Sequence, residues 1–248
     1  MTDGFYLYGI FPAPGPVGLA LQGLDQQPVN VHQIDRFVFL YSSAQQERYL
    51  ASRKNLMGHA RVLEEAMNAG YRNHLPLPLN RLIFQSWEEV ETQIITPYRE
   101  ALEELFQALE GKREVGLKVY WDEATELERV LEHNEPLRRQ RDRLEGRQLS
   151  MDEVIRIGQA IETALTHHQD QIIQACRDSL NPLGLEVVEN DTQTESMIYN
   201  AAYLIEWDRE PEFSEAIEAL DRHFEHRLRL RYNNFTAPYN FAHLPTVG

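Results

Sequence analysis

The chain has 248 residues, 42% of them hydrophobic and 25% charged, a composition typical of folded globular proteins and far from a disordered or fibrous one. Its length fits one large domain or two ordinary ones, and two are expected. A formal net charge of -15 repels phosphate backbones and anionic lipid heads, which disfavours nucleic acid and membrane surfaces, and a single cysteine, Cys176, excludes an intrachain disulfide.

The N-terminal stretch has no basic leader and is broken by Pro12, Pro14 and Pro16, so it reads as neither a signal peptide nor a membrane span. "GFYLYGIF" and "DRFVFLYS" are apolar on both faces and predict two central strands, joined by an irregular connection rich in Pro and Gly. A helix is expected over 52–69, with Leu56, Ala60, Leu63 and Met67 at helical spacing and Gly70 to end it. In "LPLPLNRLIF" the prolines cannot donate to a ladder, so an edge strand is expected only from Arg81 onward. Ser86 and Glu89 form a capping box for the next helix, which Pro97 should kink or restart.

The second half begins with "REVGLKVYW", a period-two strand with Val115, Leu117, Val119 and Trp121 on one face. Helical text follows from Asp122 to about Leu180, interrupted at Pro136 and near Gly146. Its last part opens with Ser150 and Glu153 and carries Ile157, Ile161, Leu165, His168, Ile172 and Cys176 on one face. "LGLEVVE" and "SMIYNAAYLIEW" are further strands, Pro211 opens a helix, and "LRLRY" is the last strand. The order β-α-β-β-α-β is the split βαβ, ferredoxin-like arrangement, with the first and third strands central. The chain is therefore expected to be α+β, with an N-terminal modified ferredoxin-like unit over 1–110 and a C-terminal ferredoxin-like domain over 111–248.

Few residues point to chemistry. His223 and His226 in "HFEH", with His167 and His168, have a spacing that two metal-binding imidazoles could use, but no Cys pair or His-Glu-x-x-His accompanies them, and no metal is expected. His168 reads as a satisfied core histidine. Tyr199 and Tyr203 alternate on a strand as base-stacking aromatics do, yet the basic strand signature of RNA-binding modules is missing. Walker, Rossmann and nucleophile-elbow motifs are absent, so neither catalytic residues nor a cofactor is assigned.

Two stretches remain as candidate partner contacts. The run "RRQRDRLEGR" places Arg138, Arg139, Arg141, Arg143 and Arg147 in an acidic chain, either as a docking patch or as a solvated helix. The uncharged tail "NNFTAPYNFA" offers Tyr239 and Phe241, which either fold back over a helix-free sheet face or the domain junction, or stand out as aromatic anchors.

"YLYGIF" at 6–11, "LPLPLNRLIF" at 75–84, "NAAYLI" at 200–205 and "APYNFA" at 237–242 together resemble the GvpL/GvpF family of gas vesicle proteins. Family members often carry Arg-Phe-Gly where this chain has Asn80, Arg81 and Leu82, and a Trp-containing run where it has Phe235, Thr236 and Ala237. The resemblance implies a non-enzymatic accessory or minor structural protein of gas vesicles within the cytoplasm, engaging the hydrophobic major shell protein and other accessory proteins during assembly. It implies no cofactor. The rival reading is an enzyme or small-ligand-binding protein with a cleft between two ferredoxin-like units, lined by His167, His168 or His223.

Overall fold

The computed structural model describes residues 4–79, 83–142 and 150–244. The fold is α+β, with two sheets. By internal contacts the chain divides into two compact units, one made of 1–115 with 204–208 and 234–248, the other of 116–203 with 209–233. The uncharged tail thus groups with the N-terminal residues, unlike a single cut after residue 110.

In the first unit, β1 (Phe5–Pro12) is buried at every position but its two ends, because both faces of "FYLYGIF" are apolar and both are covered. It pairs antiparallel with β3 (Phe37–Ser43), which pairs in turn with β2 (Asn30–Ile34) through the two-residue turn Asp35–Arg36. Asp35 takes the positive φ of 53° that such a hairpin turn demands. β2 was not expected, since it lies in the Pro/Gly-rich connection and mixes exposed with half-buried residues. On the other side of β1 lie β4 (Leu75–Pro76) and β5 (Ile83–Phe84). Pairing therefore begins at Leu75 rather than only from Arg81, which lies outside the described residues. Pro76 sits opposite Gly9, and Leu77 continues the contact by donating its N–H to the Tyr8 carbonyl at 3.0 Å. An edge position tolerates the missing proline donor.

Gly9 is required by proximity. A Cβ there would lie 2.9 Å from Leu63 Cδ2 and 3.0 Å from the Leu75 carbonyl oxygen. The β1–β3 register also shifts between Leu7 and Gly9. Helix α1 (Arg53–Asn68), capped by Ser52, buries Val62, Leu63, Ala66 and Met67. Ser86 caps α2 (Trp87–Val90) as expected, but the Glu89 carboxylate reaches the Gln85 N–H at 2.9 Å. A π turn, Glu91–Ile95, then leads into α3 (Thr96–Leu109), with Pro97 in its first turn. The helix widens by one residue ahead of a residue that cannot donate, which is how the proline restarts it.

The second sheet has the order β7-β8-β6-β9, with β6 spanning Lys112–Tyr120, β7 Glu186–Glu189, β8 Met197–Glu206 and β9 Arg229–Thr236. The first and third strands of this half are central, as the β-α-β-β-α-β order requires, and β8 is buried from Met197 to Ile205. Helical segments α4 (Glu123–His133), α5 (Glu135–Asp142) and α6 (Met151–Leu180) precede β7, and α7 (Glu210–His223) precedes β9. Ser150 and Glu153 make the reciprocal capping box at the start of α6. Inside the second unit Phe213 of α7 packs on Tyr203 and Tyr232, with ring centroids 5.0 and 5.8 Å away. Tyr199 and Tyr203 are buried and share a hydroxyl contact of 3.0 Å, which removes both from base stacking. Cys176 is buried and its thiol is pushed up to about 12 by burial, so it is an inert packing residue.

Candidate functional site

The tail forms a compact turn on the first unit. After β9, Ala237 and Pro238 are buried, the Phe241 and Ala242 N–H groups return to the Pro238 carbonyl, and Tyr239, Phe241, Ala242 and Leu244 lie half-buried against the unit's core. Neither Tyr239 nor Phe241 stands free as an exposed anchor. Burial raises the Tyr239 hydroxyl above the usual tyrosine range, with Glu64 and Glu114 adding to the shift, so it stays protonated.

The polar tie of this turn is Asn240. Its backbone N–H donates to one oxygen of Glu114 at 2.8 Å and its side-chain amide to the other at 2.7 Å. Glu114 is 4% exposed, near the start of β6. Burial pushes its carboxyl up to about 7, against the opposing pull of the two Asn240 hydrogen bonds. Among the described residues no cation forms a salt bridge with it. Sequence reasoning missed both residues. Glu114 reads as a solvated charge at a strand end and Asn240 as a turn residue, and no local pattern connects positions so far apart.

Beside the tail lies a cleft of about 410 Å³. Ile10 of β1, Leu75 to Pro78, Tyr98 and Leu102 of α3, and Tyr239 and Leu244 of the tail form its walls. The two prolines shape the near wall, since neither carries an N–H that would have to be satisfied there. Among the described residues no Asp, Glu, Lys or Arg side chain reaches the lining.

The remaining candidates belong to the second unit. Arg138 and Arg139 are exposed on α5, Arg139 paired with Glu135 and Arg141 with Asp142, in the manner of a solvated helix. Arg143 and Arg147 lie outside the described residues. His168 donates to the buried Glu126 carboxylate at 2.7 Å, and Glu126 also takes the Arg227 guanidinium, so His168 is satisfied as expected, though half-buried rather than in the core. His167 contacts the Gln171 amide, His226 pairs with Asp221 at 2.6 Å, and His223 meets the Phe224 ring edge-on. An open groove of about 630 Å³ within this unit is lined by His133, His167 and His168. Among the described residues no three His, Cys, Asp or Glu side chains are grouped to hold a metal ion.

The profile of the family described as "Gas vesicle synthesis protein GvpL/GvpF" matches residues 4–243. Gas vesicle protein F of Nostoc sp. is 53% identical over 244 residues, spanning 98% of this chain and 100% of that one. The crystal structure of GvpF from Anabaena sp. PCC7120 is similar with a TM-score of 0.84 at 50% identity, covering 98% of this chain and 97% of the other. For GvpF from Microcystis aeruginosa the TM-score is 0.82 at 53% identity, covering 98% and 100%. The chain belongs to the GvpL/GvpF family of gas vesicle synthesis proteins.

Proposed function

We propose that this protein is a non-enzymatic accessory factor of gas vesicle assembly that binds the hydrophobic major shell protein and limits its aggregation while the shell nucleates. One observation carries the reading. Three of the four stretches on which the family resemblance rests, 6–11, 75–84 and 237–242, contribute residues to the same apolar cleft, through Ile10, Leu75 to Pro78, and Tyr239 with Ala242. Segments so far apart in the chain converge on a surface that suits an apolar partner, and covering such a partner's surface keeps it in solution by mass action. Tyr239 and Phe241 supply aromatic contact area, while the arginines at 138, 139, 141 and 143 are offered as a second contact for accessory proteins. The site of action is the gas vesicle within the cytoplasm, and the role needs neither cofactor nor catalytic group.

The test is to mix the purified protein with the major gas vesicle shell protein of the same organism and follow solubility and co-migration on size exclusion. Soluble co-migration is the expected result, and Tyr98→Asp, which places a charge on the half-buried part of the cleft wall, should reduce it at least about tenfold. Precipitation of the shell protein with no complex, even with other accessory proteins added, would remove the shell-binding mechanism.

A further inference from the structure

The tail is tied to the rest of its unit in an unusual way. Among the described residues, the side-chain hydrogen bonds that join 237–244 to parts of the first unit beyond the adjoining Thr236 both end on one buried carboxylate, that of Glu114. The other ties are apolar, through Ala237, Tyr239, Phe241, Ala242 and Leu244. Tyr239, Ala242 and Leu244 also wall the cleft, so the position of this segment sets how widely the cleft opens. We propose that residues 237–244 are a strap latched to Glu114 through Asn240, and that the latch loosens as the pH rises through neutrality.

The direction follows from what each form of the carboxyl needs. Ionised Glu114 keeps both Asn240 donors but holds its charge away from water, without a salt bridge among the described residues, and opening the strap returns that hydration. Neutral Glu114 has no charge to hydrate. Its acid proton is accepted by the Asn240 side-chain oxygen once the amide is turned over, while the backbone N–H still donates to the second oxygen. The closed strap therefore favours the protonated acid, in keeping with a carboxyl raised to about 7 from an ordinary 4.5. By linkage the latch is strongest below about pH 4.5 and is lost as the pH rises through about 7.

Other titratable groups face this region. Glu64 on α1 is half-buried, with its carboxyl raised by burial, and acts on Tyr239. Tyr239 itself stays protonated. The His59 ring lies 6.4 Å from that of Tyr239, and burial pushes its imidazole down to about 4, so it remains neutral above pH 5.5. Arg113, next to Glu114, gives its guanidinium to the Asn234 carbonyl and stacks over Trp207. His243 is exposed on the strap and is controlled for directly.

The experiment is amide hydrogen exchange of the full chain between pH 5.5 and 8, corrected for intrinsic rates. Protection of the strap amides should fall roughly tenfold or more across this range in the wild type. Glu114→Gln, which keeps a hydrogen-bonding partner for Asn240 without the charge, should hold its protection nearly constant. Glu64→Gln and His243→Gln should retain the wild-type step, and Asn240→Ala should be weakly protected throughout. A wild-type profile flat with pH overturns the proposal even if the Glu114→Gln variant does not fold. So does a step that persists in Glu114→Gln or disappears in Glu64→Gln or His243→Gln. The strap experiment contains no shell protein, so it stands or falls separately from the shell-binding role.

Discussion

Glu126 shows how much a single position decides in the second unit. It is 1% exposed and gathers His168 and Arg227 from distant parts of the chain onto one oxygen. A buried pair like this adds little over a well-packed apolar substitute, but half of it is far worse than either. Arg227→Ala should therefore cost about 3–5 kcal/mol in urea unfolding, because it leaves the carboxylate short of its cation. The double variant Glu126→Leu with Arg227→Met should recover more than half of the loss. A single-variant loss under about 1 kcal/mol would mean that the pair is solvated in solution. From the sequence His168 was legible as a satisfied residue on the apolar stripe of a helix, though it stays half-buried rather than entering the core. Glu126 and Glu114 were not, because a carboxylate becomes a core group only through partners that the fold brings to it.

At the scale of elements, the strands and helices with strong periodicity were readable and the weak ones were not. The helices over Arg53–Asn68 and Met151–Leu180 have both a cap and an apolar stripe, and each starts where its serine is. β2 and β4 lack such signals. β2 alternates too weakly for its pattern to separate it from loop, and β4 contains a proline that propensity rejects but an edge position accepts. The pairing of β4 depends on Gly9, which lets the Leu75 carbonyl approach to where a side chain would stand. Gly9→Ala should cost about 1–3 kcal/mol, and the loss should appear first as faster amide exchange at Leu77, whose N–H bonds to Tyr8. Unchanged exchange at Leu77 would show that the backbone gives way without disturbing the edge.

For the whole molecule, charge sets the solution behaviour. With 39 acidic and 24 basic side chains and an isoelectric point near 5.0, the protein repels copies of itself at neutral pH and loses that repulsion as acid neutralises it. Its solubility should pass through a minimum near pH 5 and recover above about pH 6.5, measured as the supernatant concentration after precipitation at low salt. A minimum displaced by more than about a unit would mean that buried groups such as Glu114 dominate the titration. The α+β class and the central strands of the second sheet could be read directly, since they follow from element order and burial pattern. The grouping of 234–248 with the N-terminal residues could not, because it rests on contacts between the two ends of the chain.

That grouping has a consequence for the order in which the protein is made. A ribosome releases the N-terminal strand well before the tail, at a pace of about 5–20 residues per second. Ile10, Leu75 and Leu102 must therefore wait, already synthesised, for Tyr239 and Leu244 to close over them. The first unit is thus finished only after the second, and its apolar wall stays uncovered for seconds during every round of translation.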